Sequence, residues 1–154
     1  MTQHDDRRAW RLVRPAGCLL LIVGDGPLRD VLPTTVGLVP PAEVGQWLDR
    51  AAVVVVPSRE EPLGLAAVEA LAAGRPVVAA IDEGTEVPRI LAASGAGVTV
   101  PPDDIETFVG ALRDLIGDSS RREILGRNAR DWVVSHVSPD AVAEAYLSLV
   151  DSGR

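Results

Sequence analysis

Residues 53–80 read VVVVPSREEPLGLAAVEALAAGRPVVAA. The run opens with four consecutive valines, 53–56, whose unbroken apolarity predicts a strand covered on both faces. A polar loop at 57–62 follows, then a helix over about 63–73, a stop at Gly74 and a second buried strand at 76–80. Strand, helix and strand in that order make one unit of a parallel sheet. Two features lift the unit above scaffold. The helix is almost wholly apolar, yet Glu69 sits in its middle; on a helix buried all round that carboxylate needs a partner, because an unpaired buried charge is costly. At the helix start, Gly64 lets another group approach backbone amides that have no partner of their own.

Working outward, 154 residues suffice for one domain with a real core, and with 47% hydrophobic but only 3% aromatic residues its interior must be Ala, Val and Leu. A formal net charge of -7 argues against a nucleic-acid partner, which needs a basic surface. The single cysteine, Cys18, excludes an internal disulfide and a cysteine-rich metal site. The apolar run 18–23 follows Arg7, Arg8 and Arg14 but is too short for a signal core or a membrane span, so it reads as a strand. No other stretch is long and apolar enough to cross a bilayer, and the expectation is a soluble, cytoplasmic protein.

Residues 1–6 are polar and expected to fray, and 7–14 fit a short helix. Gly24-Asp25-Gly26-Pro27 is a turn opening a short helical segment to about Leu32, followed by an apolar segment at 36–39 and a helix over 42–50. Beyond residue 80 come a loop, a helix over 86–93, a strand at 97–100, and a helix to Ile116 begun by a capping box of Asp103 with Glu106. Helices over 119–134 and 139–150 close the chain, the last capped by Ser138. The alternation predicts an α/β fold in a single domain, 1–154: an open, mainly parallel Rossmann-like sheet with helices on both faces. The remaining polar and aromatic residues read as structural: His4 and His136 at the surface, Trp10, Trp47 and Trp132 on apolar helix faces, and Arg121, Arg122, Arg127 and Arg130 on a solvated helix face.

In such sheets ligands bind beyond the carboxyl ends of strands, and the loop 57–62 lies at that edge. Glu61 sits just before the helix, Gly64 and Leu65 in its first turn, and Glu69 further along. Free amides there favour a phosphate, and a carboxylate can accept hydrogen bonds from vicinal hydroxyls, so the set suits a sugar nucleotide. On physics alone an alternative stands beside it: Glu60 and Glu61 as a solvated loop pair, and Glu69 facing water from a helix that covers an open edge.

The pattern Pro57-Ser58, Glu61-Pro62-Leu63-Gly64-Leu65, Glu69-Ala70-Leu71-Ala72, Gly74, Pro76-Val77-Val78-Ala79 resembles the E-x7-E signature of retaining glycosyltransferases of the GT-B fold, the group of the glycogen synthases and bacterial mannosyl- and glucosyltransferases. The spacing selects Glu61 over Glu60 as the first glutamate. Leu21-Ile22-Val23-Gly24-Asp25-Gly26-Pro27, Val36-Gly37-Leu38-Val39 and Val100-Pro101-Pro102 continue the resemblance in the family's order. It implies a nucleotide-sugar donor domain, the C-terminal half of a GT-B enzyme. By that resemblance Glu61 is the catalytic residue, contacting sugar hydroxyls and stabilising charge. The amides of Leu63, Gly64 and Leu65 meet the diphosphate, Glu69 the ribose, and the backbone near Val39 the base. The donor would be a UDP-, GDP- or ADP-sugar, with no metal and no further cofactor.

The chain also departs from that pattern. It has no room for the amino-terminal acceptor domain, and residues 1–6 hold neither the family's first central strand nor its G-R pair. The missing strand leaves a slot between 18–23 and 53–56, an edge that invites another chain. Asp82-Glu83-Gly84-Thr85-Glu86-Val87-Pro88 replaces the usual G-G-x-P-E. Two functions follow: a donor-binding domain inactive in isolation, or a non-catalytic nucleotide-sugar module that pairs with a partner chain or with itself. A nicotinamide-binding domain ranks below both, because no G-x-G-x-x-G opens a helix.

Overall fold

A computed structural model of the protein describes residues 19–27, 29–30, 32, 35–59 and 61–152. The expected helix at 7–14, and also His4, Trp10, Cys18 and Glu60, lie outside the described residues.

The order of elements is β1 (Ile22–Val23), β2 (Thr35–Gly37), α1 (Pro41–Arg50), β3 (Val54–Val56), α2 (Leu65–Ala72), β4 (Val77–Ala80), α3 (Glu86–Ser94), β5 (Gly97–Val100), α4 (Ile105–Gly117), α5 (Ser119–His136) and α6 (Pro139–Ser152). Among the described residues the strand ladders are parallel, beside one isolated antiparallel bridge between Gly24 and Gly37, and they come in two pieces rather than one sheet: β1 with β2, and β3-β4-β5 in that order. Among the described residues no strand bridges β1 and β3, which leaves open the slot read from the sequence. The helical segment expected after Gly26 is absent from the described residues, where Arg29 N donates to Gly26 O at 3.0 Å in a tight turn.

The three-stranded sheet is covered on both sides, and β4 shows why its sequence is an unbroken apolar run. Val77 and Ala79 join the cluster of Ala67, Ala70, Leu71, Val87 and Leu91 on one face, while Val78 meets Leu112 and Leu115 on the other. Helices α2 and α3 thus cover one face and α4 the opposite one. Helix α5 runs past both clusters, contributing Ala129 to the first and Leu125 to the second.

Helix α2 is made of strong helix formers and ends where the sequence says it must. Gly74 is left-handed at φ +67°, Gly74 N donates to Leu71 O at 2.9 Å, and Arg75 N donates to Ala70 O at 2.9 Å. That pair of bonds is a Schellman stop, and it turns the chain straight into β4. Helix α4 begins one residue later than the expected capping box. Asp104, not Asp103, is the cap, accepting from Thr107 N at 3.0 Å and from Thr107 Oγ1 at 2.7 Å. At the last helix, Ser138 Oγ accepts from Ala141 N at 3.2 Å, as the sequence predicts.

Candidate functional site

Three loops leave the carboxyl ends of β3, β4 and β5, and polar contacts tie them into one rim. Arg59, in the loop after β3, reaches both carboxylate oxygens of Asp103, in the loop after β5, at 2.6 and 2.8 Å. The carbonyl of Arg59 accepts from Asp82 N, after β4, at 3.5 Å. Sequence reasoning missed this brace, because its partners stand 44 positions apart and neither belongs to a local motif.

Within the rim, Glu61 is half-buried and its Oε1 accepts from Gly64 N at 3.3 Å. Gly64 is buried and left-handed at φ +67°, and a Cβ there would stand 2.8 Å from Val87 Cγ2 on α3. A glycine is therefore required both by the turn into α2 and by the close approach of α3. Among the described residues, Leu63 N and Leu65 N make no hydrogen bond, while their side chains are exposed. The start of α2 thus carries one amide engaged by a carboxylate and two without a partner among the described residues, at the positive end of a helix.

Glu69 departs from the reading of a helix buried all round. It is exposed, and its carboxylate has no hydrogen bond or ion pair among the described residues. Only Ala67, Ala70 and Leu71 of α2 are buried, whereas Leu65, Ala66, Glu69 and Ala72 face outward. Because so much of α2 is alanine, its composition does not mark which side is wet. Glu69 lies one turn beyond Leu65 on the same outer face, so the carboxylate and the open amide of Leu65 share a surface. Val39 is half-buried and follows the carboxyl end of β2, in the other sheet. No hydrogen bond ties it to the face of Glu61 and Glu69 among the described residues.

Thr85 shapes the segment that departs from G-G-x-P-E: its Oγ1 donates to Asp82 O at 2.8 Å and α3 begins at Glu86. Among the described residues no group of three or more His, Cys, Asp or Glu side chains is placed to hold a metal. No helix there is long and apolar enough to cross a membrane.

Comparison with known proteins shows the family of the chain. The family model "Glycosyl transferases group 1" matches residues 7–118. The chain belongs to that family. Among its group 1 relatives, the D-inositol 3-phosphate glycosyltransferase of Jonesia denitrificans is 36% identical over 115 residues, spanning 70% of this chain and 27% of the relative. The lipopolysaccharide core biosynthesis glycosyltransferase LpsE of Rhizobium meliloti is 32% identical over 152 residues, 92% of this chain and 44% of LpsE. In structure, the HepE protein of Anabaena, solved in complex with UDP, superposes with a TM-score of 0.76 at 19% identity, over 99% of this chain and 45% of HepE. That likeness is one of fold: an α/β, Rossmann-like half of a GT-B glycosyltransferase. The chain spans less than half the length of the curated relatives it matches here.

Proposed function

We propose that this chain is the nucleotide-sugar donor-binding half of a retaining group 1 glycosyltransferase, with the start of α2 as its diphosphate site. The observation that carries the reading is the engagement of Gly64 N by Glu61, at the carboxyl edge of β3. An arriving diphosphate exchanges with that carboxylate at Gly64 N and meets the open amides of Leu63 and Leu65, where the helix dipole favours negative charge. Glu61, released, turns to hydroxyls of the sugar and stabilises the charge that develops as the glycosidic bond to phosphate breaks. A donor phosphate oxygen takes the acceptor proton, so no metal enters. Glu69 accepts from the ribose hydroxyls, and the backbone at Val39 borders the base. The UDP held by HepE supports a uridine donor among UDP-, GDP- and ADP-sugars. In this reading the chain alone binds donor without transferring sugar, in a cytoplasmic setting.

A second reading, a non-catalytic module completed by a partner chain or a second copy, draws on the lack of a strand between β1 and β3 among the described residues. Calorimetric titration with the three nucleotide sugars tests the first reading. Binding that Glu69→Gln weakens for nucleotide, and Glu61→Ala weakens for the sugar moiety, supports it. No binding to any donor by a folded chain would sink it. Transfer gained only on mixing with an amino-terminal half-enzyme would support the completed-sheet arrangement.

A further inference from the structure

At the amino ends of β3 and β4, opposite the rim of Glu61, lies a cavity of about 530 Å³ lined by Arg50, Arg75, Arg122, Arg127, Arg130 and Glu123. The sequence places the last three arginines on a solvated helix face. Arg127 and Arg130 are indeed exposed and Arg122 is half-buried, and the fold also gathers the three around this cavity. Arg50 ends α1, Arg75 follows the Schellman turn, and Arg122, Glu123, Arg127 and Arg130 recur at helical spacing along one side of α5.

Close backbone approach holds these parts together. A Cβ on Gly126 would stand 2.5 Å from Gly74 O, so α5 lies directly against the turn that ends α2. Two of the guanidiniums are fixed from behind by carbonyls at helix ends. Arg122 Nη1 donates to Leu115 O and Ile116 O, each at 2.6 Å, and Arg130 Nη2 donates to Ala73 O at 3.3 Å. Arg50 lies over the Trp47 ring, 5.7 Å from its centroid. Arg75 Nε is buried with no hydrogen-bond partner.

Ion pairs among the described residues join Arg29 to Asp25, Arg59 to Asp103 and Arg89 to Glu86, and none includes an arginine of this cavity. Five guanidiniums thus face one carboxylate, in a chain whose net charge is -7. Guanidinium forks held at several angles match the oxygens of a phosphate better than a single carboxylate, and a buried, unpaired Nε calls for an acceptor.

We propose that this cavity is a second ligand site, which binds a compact phosphate-bearing polyanion, either a phosphomonoester or a diphosphate. It stands apart from the donor site. Gly64 marks one end of α2 and the Ala73–Gly74 turn the other, so the eight-residue helix, roughly 12 Å long, separates them. The inference needs no assumption about what binds at Glu61. A phosphate free in solution and one on a lipid headgroup present the same oxygens to the arginines.

Calorimetric titration of the full chain with inorganic pyrophosphate, in about 0.1 M chloride to screen diffuse attraction, tests it. The matched variant is Arg50→Gln with Arg127→Gln; both residues are exposed and neither makes a hydrogen bond among the described residues. Loss of the exposed Arg50–Trp47 contact should lower a thermal melt only slightly, by about 1 kcal/mol or less. The expected result is a binding phase that weakens about tenfold or more in the double variant. Sedimentation with phosphatidylcholine vesicles containing phosphatidic acid forms the second arm. Vesicle binding with the same arginine dependence, and no response to pyrophosphate, identifies a headgroup as the source. Absence of binding in both arms, or binding indifferent to the two arginines, overturns the proposal.

Discussion

Arg59 grips Asp103 through both carboxylate oxygens, at 2.6 and 2.8 Å, and so joins the loop that carries Glu61 to the loop that starts α4. Both side chains are 68% exposed, which keeps the energetic worth of the pair small. Arg59→Ala should therefore cost no more than about 1 kcal/mol in a urea melt. Its effect should appear instead as faster proteolysis within residues 57–62, because the loop loses its tie to β5. A stability loss of several kcal/mol with an unchanged cleavage rate would contradict this division.

Gly64 answers to two constraints at once, a left-handed φ of +67° and a Cβ position 2.8 Å from Val87 Cγ2. The first costs a larger residue about 1–2 kcal/mol and the second about 1–3. Gly64→Ala should destabilise the domain by roughly 2–5 kcal/mol in equilibrium unfolding. Donor binding measured well below the new midpoint should fall as well, since the amide of residue 64 moves.

Two other glycines should behave in the opposite sense. Gly45 in α1 and Gly110 in α4 have nothing within 4 Å of an added Cβ. Alanine at either position removes backbone freedom from the unfolded chain at no steric cost. Each substitution should raise stability by about 0.5–1 kcal/mol, and a loss at either site would count against the packing described.

Asp104 gives the acid limb of the stability profile a specific contributor. Hydrogen bonds from the Thr107 backbone and hydroxyl hold its pKa below the ordinary 3.8. The folded state thus binds this proton less tightly than the unfolded one, so the contribution is fully present above pH 3.8 and is lost as pH falls through the lower, folded value. Thermal midpoints of the protein and of Asp104→Asn should differ by a constant amount above about pH 5 and converge in stronger acid. A gap that widens as pH falls would reverse the assignment.

The strand, helix and strand of residues 53–80 were legible because each of their signals is local: a valine run, an alanine-rich helix and a glycine stop. Whether Glu69 is buried or faces water stayed open in the sequence for a related reason. A helix whose outer face is Leu65, Ala66 and Ala72 offers no polar stripe to show where water lies. The loop brace was illegible because Arg59 and Asp103 meet only once three strands are in register. Asp103 and Asp104 were interchanged as caps because adjacent aspartates satisfy the same pattern, and only backbone geometry, with Asp103 at φ +67°, separates them. The arginine cavity lay hidden for a third reason. Its members come from α1, the turn before β4 and α5, and only the contact of Gly126 with Gly74 brings them together.

The gap between the two sheets bears on how the molecule opens. Strand β4 has hydrogen-bonded neighbours on both edges and packing on both faces, so its amides should exchange with solvent only through global unfolding. The paired strands β1 and β2, two and three residues long, share no ladder with it among the described residues. Their amides should exchange through a separate and easier opening, leaving one chain with two stabilities. A nucleotide that touched both Val39 and Glu69 would staple the lesser unit to the greater, and slowed exchange at residues 35–37 would register its arrival.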